Sequence, residues 1–309
     1  VLVAGRDGWR RLGRESYSPE PLPPGELPPA ARAAAASPVE RLIRADAGFA
    51  AARGTLAVDE HARDWPLTDV AEGGSAGEYW IGTWGDNLIR YDAHFMRAER
   101  FRFGPLSAGV GAIARDANGW WFAGDGRGPR DGVAHADPAL QEWRYHEARV
   151  AGAPRGHVRA VSPTSRIVWF AATAGLFRLE RATGSWQRIG EADGLPAAEV
   201  MSLAVAPGPD GVWAGTRRGL VFVPADGTPL SDPVLAMRRI HHVRASADTL
   251  WISADDGLWI LPLAEPDLAP RRAPGSAHIP PLRTRVLDAR PAPGGVRAIT
   301  ESGLYVEDG

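Results

Sequence analysis

The side chains that could do chemistry in this chain are arginines, a histidine pair and a few aspartates. Arg127 and Arg130 lie in Gly124-Asp-Gly-Arg-Gly-Pro-Arg-Asp-Gly132, and Arg271 and Arg272 lie in a proline-rich run between Leu261 and Leu282. A guanidinium makes bidentate bonds to a carboxylate and is enriched where proteins bind one another. These four arginines are the candidate partner-contact residues. The glycine-rich stretch has the composition of a phosphate loop, but it lacks the Lys-Ser/Thr ending and a following helix. It reads better as a lengthened hairpin. Asp125 and Asp131 are too few carboxylates for a calcium site. Asp255-Asp256 occupy two turn positions, where Asp is favoured for local reasons.

No set of residues in the sequence makes a catalyst. The eight histidines include no His-Glu-x-x-His, and no Gly-x-Ser-x-Gly elbow occurs. Cysteine is absent, which excludes disulfides, thiolate ligands and thiol nucleophiles. The expectation is therefore no catalytic, cofactor-binding or metal-binding residue, no cofactor, and no enzymatic activity.

What positions these residues is a repeat. Aligned on one aromatic position, the copies fall at Leu2, Leu42, Trp80, Trp121, Trp169, Trp213, Trp251 and Arg297, in steps of 38 to 48 residues. The best copies run Ile167–Leu179, Gly211–Val223 and Thr249–Leu261. Each has an apolar run with an aromatic, a small residue (Ala172, Thr216, Ala254), two turn residues, a glycine (Gly175, Gly219, Gly257) and an apolar return strand. The glycine supplies the positive φ of a tight hairpin. About ten residues before each aromatic lies a short apolar segment, read as the innermost strand. A weaker segment such as Gly184–Ile189 or Glu142–Tyr145 follows as the outer strand.

Four short strands per ~43 residues is the inventory of a β-propeller blade. The expectation is an all-β single domain, residues 1–309, with Pro-rich excursions at about 13–30 and 261–283. Seven candidate inner strands give seven four-stranded blades, closed by the N-terminal segment: residues 1–12 form a surplus hairpin that would complete the blade ending at Tyr305 and Val306. Six or eight blades are the alternatives. Residues 31–49 overlay on 158–176 as a blade, against a competing helix near 30–52. Trp169, Trp213 and Trp251 fill the wedges between blades. On an inner strand, alternation sends one of His241 and His242 to the central channel and the other into a wedge.

Net charge is −2 and the basic residues, all Arg, are spread out, so no stripe for nucleic acid is visible. No stretch approaches the ~20 apolar residues of a membrane span. The chain begins inside an apolar run without Met, the pattern of a processed or trimmed chain.

Glu191-Ala-Asp-Gly-Leu-Pro-Ala-Ala-Glu-Val-Met-Ser-Leu-Ala-Val-Ala206, followed by Gly211-Val-Trp-Ala-Gly-Thr-Arg-Arg-Gly-Leu220, resembles the repeat of the two-component-regulator propeller family. The resemblance covers about residues 65–308. It implies a propeller of the kind found in periplasmic sensor regions, and hence a periplasmic or otherwise extracytoplasmic location. Two functions fit. The first is a non-catalytic scaffold for protein partners, an accessory subunit docked on a larger extracytoplasmic or membrane-bound complex. The second is a periplasmic small-ligand sensor or an enzyme that uses the central funnel. The residues ten before each aromatic (Arg32, Val70, Gly111, Arg159, Leu203, His241, Leu287) include no acid, which favours the first.

Overall fold

A computed structural model describes residues 2–5, 8–11, 20–21, 52 and 54–306, apart from 108, 128–129, 206–209, 227–231, 265–268, 274–279 and 293–294. The chain divides into two compact units, Val1–Arg102 and Phe103–Gly309.

In the first unit, β1 (Leu2–Gly5) and β2 (Gly8–Arg11) form the expected hairpin, and β2 pairs with β3 (Glu20–Pro21). One four-stranded sheet follows: β4 (Leu67–Glu72), β5 (Glu78–Thr83), β6 (Leu88–Asp92) and β7 (Arg97–Phe101). The segment 31–49, read as a blade or a helix, lies outside the described residues, as does most of 13–30.

The second unit carries five more antiparallel sheets in chain order. The first is β8 (Val110–Asp116), β9 (Gly119–Gly124), β10 (Gly132–Ala136) and β11 (Trp143–Glu147). Next is β12 (Val158–Pro163), β13 (Ile167–Ala172), β14 (Gly175–Glu180) and β15 (Trp186–Ile189). A three-stranded sheet contains β16 (Val200–Ala204), β17 (Gly211–Thr216) and β18 (Gly219–Pro224). Then come β19 (Ile240–Ser246), β20 (Thr249–Ala254), β21 (Gly257–Pro262) and β22 (Arg271–Arg272). The last is β23 (Val286–Ala292), β24 (Gly295–Thr300) and β25 (Gly303–Val306). Counting the sheet β4–β7 of the first unit, the described chain from Leu67 onward holds six sheets of three or four meandering strands, the strand inventory of propeller blades.

The local chemistry explains the hairpins. Gly175, Gly219 and Gly257 have φ of +138°, +132° and +127°, as the sequence pattern requires. Where the preceding small residue is Thr, its hydroxyl closes the turn: Thr216 Oγ1 donates to the Gly219 carbonyl at 2.8 Å and accepts from the Arg218 amide at 3.1 Å. Thr300 and Thr83 repeat the device in their own hairpins. Gly124–Gly132 is the hairpin between β9 and β10, as expected. The Leu261–Leu282 run is more than a connector, because it supplies the outer strand β22. In the three-stranded sheet of β16–β18 the outer place is taken by a single bridge, with Leu220 and Val234 exchanging amide and carbonyl.

Within the second unit the first strands of consecutive sheets, β8, β12, β16, β19 and β23, lie side by side, which makes them the inner strands. The core is a series of wedges between sheets. Trp169 packs with Val200, Leu203 and Val212 of the next sheet. Trp213 packs with Ile240, Val243 and Ile252 of the one after. Both are buried, whereas Trp251 is half-buried against its wedge.

Candidate functional site: the turn face of the second unit

Every inner strand has a bulge at one place. Register shifts fall between Val110 and Ala112, Val158 and Ala160, Val200 and Ser202, Ile240 and His242, and Val286 and Asp288; β4 of the first unit has one between Leu67 and Asp69. The extra residues are Gly111, Arg159, Met201, His241 and Leu287, with Thr68 in β4. A bulge re-aims its side chain out of the regular alternation. Gly111 has no room for more: a Cβ there would collide with the Val158 carbonyl oxygen.

The bulges lie at the end of each sheet where the inner strand begins and the second hairpin turns. The two are stitched together by the backbone: the amides of Asp125, Thr173 and Asp255 donate to the carbonyls of Gly109, His157 and Arg239 at 3.0 to 3.2 Å. Side chains of three kinds therefore meet on this turn face: the residue before the inner strand, the bulged residue and the hairpin turn.

Two ionic clusters form there. Glu199, just before β16, accepts from Arg159 Nη2 at 2.6 Å and from Arg159 Nε at 3.1 Å; Arg217 Nε of the hairpin lies 3.3 Å from its other oxygen. Glu199 is delivered by the loop that the family-like motif encodes. Asp193 Oδ2 accepts from the Gly190 amide, Glu191 Oε1 accepts from the Ala198 amide, and Gly194 turns the chain at φ +103°. In the second cluster, His241 Nε2 is 2.6 Å from Asp255 Oδ1, Arg285 Nε is 2.9 Å from the same oxygen, and Arg285 also pairs with Glu301. Burial acts to raise the Asp255 carboxyl, but the hydrogen bonds and charges of His241 and Arg285 outweigh it and hold it below its ordinary value.

Beside them, Asp256 accepts from Arg238 Nε at 2.8 Å and from Trp259 Nε1 at 3.0 Å. The guanidinium carbons of Arg238 and Arg272 lie 5.0 and 4.0 Å from the centre of the Trp259 ring.

Arg272 thus stands on the turn face, exposed, with its guanidinium on Asp256 and Trp259. Arg271 is its exposed neighbour in β22. Arg127 is exposed in the β9–β10 turn, at the corresponding end of its sheet. Arg130 is different: it is 3% exposed, and its Nε and Nη2 both donate to Glu147 Oε1, at 3.2 and 2.9 Å. The expectation of Arg130 as a contact residue meets a guanidinium committed to an internal ion pair. Strand alternation for the histidine pair is also broken, because His241 is the bulge. His241 turns to Asp255, while His242 Nδ1 lies 2.8 Å from Asp288 Oδ1 on the next inner strand.

Among the described residues no three His, Asp or Glu side chains converge to hold a metal. No described helix is long and apolar enough to cross a membrane. A cavity of about 420 Å³ lies against the last sheet, lined by Arg244, Asp288, Arg290, Arg297, Ile299 and Leu304 among others.

No protein-family model and no curated protein matches the chain. Solved structures do resemble it. PorZ, a surface component of the type-IX secretion system of Porphyromonas gingivalis, has a TM-score of 0.51 at 18% identity, covering 77% of this chain and 38% of that one. The extracellular domain of the one component system BT4673 from B. thetaiotaomicron gives 0.50 at 14%, covering 77% and 32%. A chain of the mitotic checkpoint complex gives 0.50 at 14%, covering 80% and 74%. The chain spans about a third of the length of the first two. At this identity the likeness establishes the fold: all-β and propeller-like.

Proposed function

We propose that this chain is a non-catalytic scaffold that binds a protein partner through the turn face. The observation that carries the reading is the bulge repeated in every inner strand, which brings bulged, entry and turn side chains together at one end of five successive sheets. What they present is charge suited to contact: guanidiniums and carboxylates on rigid hairpins, with Met201 and Leu287 between them. Arg127, Arg271 and Arg272 belong to this surface.

The finer reading has further parts. The chain is of the two-component-regulator propeller type, with residues 1–309 forming one domain. It has seven blades, with residues 1–12 completing the blade that ends at Val306. It works outside the cytoplasm as an accessory subunit of a larger, membrane-associated assembly. The sequence motif of residues 191–220 supports the family, and the likeness to an extracellular domain supports the location. PorZ, described as an essential bacterial surface component of a secretion system, is an example of this fold in such a setting.

A second reading, a sensor for a small anionic ligand, is favoured by the 420 Å³ cavity with Arg244, Arg290 and Arg297 on its walls. Pull-down from native membranes in mild detergent, with mass spectrometry of companions, separates the two. Stoichiometric companions support the scaffold; a solitary chain that retains a small anion supports the sensor.

A further inference from the structure

The ionic clusters of the turn face do not balance. From β12 onward, guanidiniums of Arg159, Arg217, Arg218, Arg238, Arg272 and Arg285 stand on it; the carboxylates paired with them are Glu199, Asp255, Asp256 and Glu301, while Glu191 and Asp193 in the loop before β16 are bonded to backbone amides instead. Glu199 is shared by two arginines. Asp256 is shared by two more. Arg218 touches no carboxylate among the described residues: its Nη2 meets only Met237 Sδ, at 3.7 Å. Met237 is itself 72% exposed, in a left-handed conformation at φ +65°. Behind them, the Nε of Arg239 is buried without a hydrogen-bond partner among the described residues.

From this we infer that the partner is a protein segment rich in Asp and Glu with an apolar residue among them, laid across the turn face from Arg217-Arg218 toward Arg285. The inference rests on the scaffold reading and names the partner's chemistry. Carboxylates of the segment would meet Arg218, which has no counter-charge among the described residues, and Arg217, Arg238 and Arg272, which share theirs, and the apolar residue would cover Met237. Carboxylates fit better than a phosphate backbone because Glu199, Asp255, Asp256 and Glu301 are interleaved with the arginines. A uniform line of phosphates would run over them, whereas a segment of mixed sequence can place its acids selectively.

The test uses the full chain and a fluorescein-labelled ten-residue peptide of Asp, Glu and Leu, read by fluorescence anisotropy. Binding should weaken as salt rises. It should weaken by about tenfold or more in Arg217→Glu/Arg218→Glu, a loss of ~1.4 kcal/mol by the usual conversion. Both side chains are exposed; should the double variant lower the melting temperature, Arg218→Glu alone serves. A peptide of Gln and Leu should bind no variant. Equal binding to the wild type and the charge-reversed chain would overturn the inference, as would a single-stranded oligonucleotide that displaces the peptide at lower concentration. Native companions that persist with the double variant while the peptide fails would locate the scaffold's contact elsewhere and leave the scaffold role standing.

Discussion

His242 on β19 and Asp288 on β23 face each other across two neighbouring inner strands, with Nδ1 and Oδ1 2.8 Å apart and Arg244 Nη2 3.5 Å from the other carboxylate oxygen. The His242 imidazole beside it, set against burial, holds the Asp288 carboxyl below its ordinary value. A carboxyl with a lowered folded-state pKa contributes stability above its unfolded value and loses it as pH falls toward the folded value. Asp288→Asn should therefore reduce stability at pH 7 and make little difference at pH 2.5, measured by urea titration at both. An equal loss at the two values would remove the ion pair from the account.

A second pH effect comes at a higher range. Burial lowers the pKa of His135 and of His146, whose rings lie 4.3 and 6.2 Å from Trp121. Histidines with lowered folded-state pKa contribute fully above the ordinary 6.5 and cost stability as pH falls below it. The melting temperature should decline from pH 6.5 downward, and His135→Phe/His146→Phe should flatten that decline. A parallel shift of the whole curve would contradict the assignment.

The wedge tryptophans should rank by burial. Trp169 is 1% exposed, and Trp169→Ala should cost about 3–5 kcal/mol in urea unfolding. Trp251 is half-buried, and Trp251→Ala should cost less. A larger loss at Trp251 would mean that its environment is misassigned.

Arg127 and Arg130, three residues apart, should behave oppositely. Arg127→Ala, on the exposed turn, should stay within about 0.5 kcal/mol. Arg130→Ala removes a buried guanidinium from its bonds to the buried Glu147, and should cost about 3–5 kcal/mol. Chemical denaturation of both variants decides it.

Much of the fold was legible because the repeat couples two hard requirements: a glycine with positive φ at Gly175, Gly219 and Gly257, and a large apolar group at Trp169 and Trp213. Both leave fixed residue types in the sequence. The site was less legible. A bulge inserts one residue whose type is free, and Thr68, Gly111, Arg159, Met201, His241 and Leu287 share no property. Counting ten residues back from each aligned position finds Gly111, Arg159, His241 and, from Arg297, Leu287. It lands two residues late, on Val70 and Leu203, where the turns before Glu78 and Gly211 are longer. The charged partners were hidden for another reason. Glu199 and Asp255 look like ordinary loop residues until the bulge aims Arg159 and His241 at them. Arg130 is held in a buried pair by Glu147, seventeen residues on, and nothing in a single turn announces such a pair.

The most direct measurement is quantitative mass spectrometry of proteins that co-purify, in mild detergent, with the wild-type chain and with Arg217→Glu/Arg218→Glu at equal expression and unchanged melting temperature. The account predicts defined companions with the wild type, depleted about tenfold or more with the charge-reversed chain. Companions recovered equally with both chains, or a wild-type chain that purifies alone and turns over a small substrate, would contradict it.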